Sequence, residues 1–208
     1  MKNDKNTFFN ELYQSLGSHK AHLQVLETKV PVEKQMEFFR FSENIKSDES
    51  LDSVERRIEI LNSPDTSEKE IKYTLASLAV SGDIKAYRAL ETYNKTHQDD
   101  WAIMSFIQAK IMMETTFSDE KLIFISTGLG GKGDKLRFAA LFKSNHLKVF
   151  SDYQRDLIEK EIAFYINRNG GETEDINVAE NYFTILFLID YSVNVKTLLE
   201  NAIIECNQ

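Results

Sequence analysis

Apolar positions in the first 117 residues recur mainly at helical spacing, and those after residue 121 alternate between strand and helical periods. PVEKQMEFFRFSENI opens at Pro31, and its Met36, Phe39 and Phe38 are the expected inward positions. SLDSVERRIEILN follows, and Asn62-Ser63-Pro64-Asp65-Thr66 separates it from SEKEIKYTLASLAVSG. In that segment Ile71, Leu75, Leu78 and Ala79 fall at offsets of three and four, the mark of an amphipathic helix. Pro31 and Pro64, the chain's two prolines, sit where helices are expected to begin. Ser81-Gly82-Asp83 supplies a terminating glycine and then an N-cap for DIKAYRALETYNK, whose Ile84, Tyr87, Leu90 and Tyr93 form one stripe. DDWAIMSFIQAKIMMETTF is apolar over most of its circumference and is expected to be enclosed by its neighbours.

Beyond Lys121 the pattern changes. LIFIS and LRFAALFKS flank a glycine-rich connection and predict strand, turn, strand. SDYQRDLIEKEIAFYINRNGG predicts a helix capped at Ser151 or Asp152 and stopped at Gly170, with Leu157, Ile158, Ile162, Tyr165 and Ile166 on one stripe. NYFTILFLIDYS reads as a central strand covered on both faces. VKTLLENAIIECN closes the chain with Val195, Leu198, Leu199, Ala202, Ile203 and Cys206 in line. The expected fold class is therefore α followed by α+β. An all-helical region over 1–118 precedes a small ββαβα layer over 119–208, with the boundary near Thr116–Glu120. A three-stranded sheet of this kind has two edges to protect, and homodimerisation through one of them is a solution.

The run Tyr73 to Leu90, YTLASLAVSGDIKAYRAL, is similar to the helix–GD–helix junction of HEAT-type repeats, over roughly residues 51–117. The resemblance implies paired helices whose surface binds other proteins. Stacks of this type usually hold three or more repeats, and a clear third is not visible here, so a plain antiparallel helical bundle is the alternative expectation for this region.

Composition narrows the function classes. The chain is globular, with 208 residues, 42% hydrophobic, fourteen Phe and eight Tyr. Its net charge of −8 disfavours a phosphate-neutralising, nucleic-acid role. Cys206 is the single cysteine, so intrachain disulfides, CxxC redox chemistry and thiolate zinc clusters are excluded. With no signal-like start and no apolar run near the roughly 20 residues of a membrane span, the expectation is a cytoplasmic protein without a membrane partner.

One segment carries candidate chemistry. Four of the eight glycines lie in STGLGGKGDKL, and six basic residues against the single acid Asp134 lie between Lys121 and Val149. Gly128, Gly130, Gly131, Lys132, Gly133, Lys135 and Arg137 are the candidate binding residues, since backbone N–H groups beside cations form anion nests. A phosphate-binding loop would need Gly-Lys-Ser/Thr followed by a helix. Gly133 follows Lys132, and a strand pattern follows the loop, so both nucleotide motifs lack their context and a hairpin turn is the expected structure.

Elsewhere the candidates are weak. His19 and His22 could share a metal if helical, but an exposed polar face is the better reading, and His97 and His146 stand alone. Glu159/Glu161 read as a solvated helix face, Glu172/Glu174 as a loop, and Cys206 as a small core residue. Phe38, Phe39 and Phe41 are core or a docking patch, core being the commoner outcome. No nucleophile motif, catalytic residue, cofactor or metal is expected. The reading is a protein-interaction module whose loop contacts an anionic partner or ligand, its rival an enzyme or sensor holding a small anion on Lys132, Lys135 or Arg137.

Overall fold

A computed structural model describes residues 21–46, 53–117 and 121–207. The chain divides into two compact units, one built mainly from residues 28–124 and the other from 25–27 and 125 onward. His19 lies outside the described residues, as do residues 118–120 of the expected boundary.

The first unit is mainly helical, with α1 (Val32–Lys46), α2 (Val54–Leu61), α3 (Glu68–Ala79), α4 (Ile84–Thr96) and α5 (Asp100–Phe117), and it also holds most of a two-stranded ladder. Each start has a local cause. Ser53 caps α2 by accepting from the Arg56 N–H. Ser67 and Glu70 form a reciprocal capping box on α3, three residues beyond Pro64, which sits in the preceding turn rather than at the helix start. Asp83 caps α4 through the Lys85 and Ala86 N–H groups, after Gly82 has supplied a positive φ.

α5 is buried from Trp101 to Ser105 and again at Ile107, Gln108 and Ala109, as its all-round apolarity requires. It packs against α1, α3 and α4, while α3 also meets α1, α2 and α4. The Phe38 and Phe41 rings each approach Trp101 edge-on at 5.4 Å, and the indole N–H donates to Lys72 O at 3.0 Å. On α1 the expectation needs correcting. Phe38, Ser42 and Ile45 are the buried stripe, and Met36 and Phe39 face solvent. Both stripes have helical spacing, and the one containing the aromatic that reaches Trp101 is the one enclosed. Ile84, at the first position of α4, is likewise exposed.

In the second unit, β3 (Gly131–Lys132), β4 (Lys135–Lys143), β5 (Glu172–Val178) and β6 (Tyr182–Asp190) form an antiparallel sheet in the order β3-β4-β6-β5. β4 and β6 pair along all nine residues, Lys135 opposite Asp190 through Lys143 opposite Tyr182. α6 (Asp152–Arg168) and α7 (Val195–Cys206) contribute Ile158, Ile162, Ile166, Leu198 and Ala202 to a core with Phe183, Ile185, Phe187 and Ile189 of β6. Gly170 ends α6 in the left-handed region.

The α-then-α+β class is the observed one, with different strand partners. Ala21–Val25 forms β1 and pairs with β2 (Lys121–Ile125), so His22 lies in a strand and the helical His19/His22 spacing does not exist. LIFIS is therefore not the hairpin partner of LRFAALFK, a place taken by the two-residue β3. Glu172–Val178, read as loop because its first four residues are polar, is the edge strand β5. β6 is central as expected, but only one of its faces is lined throughout by the helix-packed core; Tyr182 on the other is exposed.

Candidate functional site

The glycine loop is a folded turn rather than an open cradle. After β2, the Ser126 hydroxyl accepts from Gly128 N–H and the Thr127 hydroxyl from Leu129 N–H. Thr127 Oγ1 in turn donates to Arg137 O at 2.7 Å, tying the loop to β4. Gly128, Gly130 and Gly133 have φ of 83°, 80° and 57°, the region glycine enters without steric cost. Gly133 and Asp134 are the two central residues of a tight β3–β4 hairpin, with glycine first, as a type II′ turn requires. Gly131 has a different reason: a Cβ there would collide with Lys135 O and the Val25 side chain.

The sheet brings acids to the loop's cations. Arg137 pairs with Leu188, and Leu188 with Glu172 on the far side, so the three residues form one row across β4, β6 and β5. Glu172 accepts from Lys135 at 2.7 Å and from Lys132 at 3.0 Å. Arg137 donates from Nε and Nη2 to the two carboxylate oxygens of Glu174 at 2.6 and 2.8 Å, and from Nη1 to Leu129 O at 3.0 Å. Glu174 sits at the register shift between Thr173 and Asp175, a bulge that re-aims its side chain. The fork-to-fork Arg–carboxylate geometry is the strongest of these contacts. Glu27 supplies a further acid, its Oε1 accepting from Gly133 N–H at 2.8 Å while its carbonyl accepts from Gly131 N–H.

The electrostatics follow from this pairing. Hydrogen bonds from Lys135 and then Lys132 hold the Glu172 carboxyl below the usual carboxylate range, and Arg137 does the same to Glu174. Glu174 raises the Arg137 guanidinium in return. Lys132 and Lys135 thus meet Glu172, and Arg137 meets Glu174, while Glu27 occupies the Gly133 N–H. An incoming phosphate or carboxylate would have to displace Glu172 and Glu174 from half-exposed pairs and Glu27 from a backbone N–H. Lys143 and Lys148 of the same segment are exposed and lie toward and beyond the opposite end of β4.

All seven candidate residues are brought together, but so are partners the sequence reading placed elsewhere. A signal for them exists. Lys135 and Arg137 are two apart, and so are Glu172 and Glu174, the spacing that puts each pair on one face of a strand. Of the remaining candidates, His97 stacks on Tyr93 at 4.0 Å at the end of α4, and His146 occupies a left-handed turn after β4. Cys206 is half-buried beside the α6–α7 core, and burial, then Glu161, push its thiol up.

Clefts in the helical unit are lined by Arg57, Lys69, Glu70 and Tyr73 in one case and by Arg88, Tyr93 and His97 in another. No loop residue contributes to them. No family model matches the sequence, and no curated protein and no solved structure matches the chain.

Proposed function

We propose that the protein is an adaptor of the reducing cytoplasm that binds another protein through its helical unit. The observation that carries this reading is a second apolar stripe on α1. Val32, Met36 and Phe39 recur at helical spacing and are 46%, 47% and 37% exposed, beside the exposed charges Glu33, Arg40 and Glu43. A stripe of this size with a charged rim suits the apolar face of an amphipathic partner helix. The arrangement of α2–α3 and α4–α5 as two helix pairs, α2 against α4 and α3 against α5, supports the HEAT-like reading of the same unit. A lone thiol at Cys206 suits a reducing compartment, and among the described residues no helix is long and apolar enough to cross a membrane.

The loop at Gly128–Arg137 belongs to this reading as an internally neutralised hairpin that presents its partly exposed Lys–Glu pairs to a macromolecular partner. Full engagement of a small anion competes with Glu172 and Glu174 at every cation.

A protein captured by the wild-type chain should bind the Met36→Glu, Phe39→Glu variant at least about tenfold more weakly, the equivalent of roughly 1.4 kcal/mol. Titration calorimetry with the purified partner reads this, and an unchanged helical circular dichroism spectrum shows that α1 has not been lost. Undiminished affinity in a folded variant would overturn the assignment.

A further inference from the structure

The two edges of the four-stranded sheet are built differently. On the β5 side, three acids in Glu172–Asp175 and the bulge at Glu174 protect the edge by charge and irregularity. On the β4 side no bulge interrupts the strand, and beyond Arg137 its one charged residue is Lys143. Its outward direction is set by Arg137, whose N–H donates to Gly130 O and whose carbonyl accepts from Thr127, both away from β6. Backbone direction alternates along a strand, so Ala139, Leu141 and Lys143 point the same way. Among the described residues none of the three makes a hydrogen bond on that side, and all three side chains are exposed, Leu141 at 55%.

We propose that this edge is the interface for a second copy of the chain, β4 pairing antiparallel with its counterpart across a two-fold axis at Leu141. No residue of α1 takes part in this interface. In this register Leu141 faces Leu141 of the partner subunit, and Ala139 and Lys143 face each other in both directions. Residues that face each other with outward backbone exchange two hydrogen bonds per pair. Every N–H and C=O left open at the three residues of each chain is then satisfied.

Three features select this register over its neighbours. Lys143 meets the partner's Ala139, which keeps the two lysines roughly 13 Å apart along the strands. On the helix-covered face Ala140 meets the partner's Phe142, small against large. A register centred one residue earlier, at Ala140, would set Lys143 against the like-charged Arg137, whose backbone is already engaged by Gly130 and Thr127. The open stretch also has the needed length, since Thr127 and Gly130 close it at Arg137 and the chain leaves the strand after Lys143. An occupant of different sequence would not need the alternation of Ala and Phe to mirror itself; a second copy does.

Sedimentation velocity of the full chain over a concentration series should show a reversible monomer–dimer equilibrium. Leu141→Lys, which sets two cations face to face on the axis, should weaken it at least tenfold. A wild type that stays monomeric at every concentration, or a folded Leu141→Lys chain that dimerises as well as wild type, would overturn the proposal. The register has its own test in a Cys206→Ala background, which also serves if Leu141→Lys does not fold. Leu141→Cys should be joined to its counterpart by a short bifunctional thiol reagent, whereas Ala139→Cys should not. Equal cross-linking of both, or of Ala139→Cys alone, would overturn the two-fold at Leu141. Binding of an extended peptide to a strictly monomeric chain at this edge would overturn the second copy as its occupant.

Discussion

Gly131 and Gly133 lie two residues apart in the same hairpin and are glycine for different reasons. At Gly131 an added Cβ strikes backbone and a packed valine, so Gly131→Ala should cost about 2 kcal/mol, in the range of overpacked cores. Gly133 has open space but a φ of 57°, so Gly133→Ala should cost about 1 kcal/mol through conformation alone. Urea unfolding of the two variants should rank them in that order. The acids of the same site make a separate prediction. Glu172 and Glu174 titrate lower when folded than when unfolded, so their contribution is fully present above the unfolded carboxylate range near pH 4.3 and is lost as pH falls through the folded values. The Glu172→Gln, Glu174→Gln variant should therefore lose stability at neutral pH and converge on wild type in acid. Thermal melts between neutral and strongly acidic buffer would show whether the gap closes. Glycine density and local charge were readable from the residues alone; the carboxylates that answer that charge, about 40 positions away, were not.

Helices whose signals are local were legible as elements. α6 and α7 present Ile158, Ile162, Ile166, Leu198 and Ala202 to the core at the spacing their sequence displays, because the period depends only on neighbours within a turn. α3 owes its start to Ser67, so Ser67→Ala should cost about 1 kcal/mol in denaturant unfolding, while Ser81→Ala, outside a capping box, should cost less. Strands were less legible where they carry no alternation. β5 is an edge strand rich in acid, and β1 pairs with a strand roughly 100 residues away, a partnership no local window contains. α1 illustrates the same division within one element: its helical period was visible, but two stripes satisfied it, and only packing against Trp101 chose Phe38 over Met36 and Phe39.

For the whole molecule, the single tryptophan is a useful reporter, since Trp101 is buried in the helical unit between Phe38 and Phe41. Phe38→Ala should remove about 3–5 kcal/mol from the transition seen by tryptophan fluorescence and shift the native emission to the red. An unshifted midpoint would mean that Phe38 does not anchor this core. What the sequence determined by itself is the order of most elements, the caps, the change from helical to mixed period near residue 120, and the acidic, single-cysteine composition. Each of these rests on a residue's own chemistry or on neighbours within about four positions. Tertiary structure alone decided which strands pair, which α1 stripe is enclosed, and that Lys132, Lys135 and Arg137 meet carboxylates of their own chain. Those outcomes depend on contacts between segments far apart in the chain, where the free energy of burial and pairing selects among arrangements that local spacing leaves equivalent.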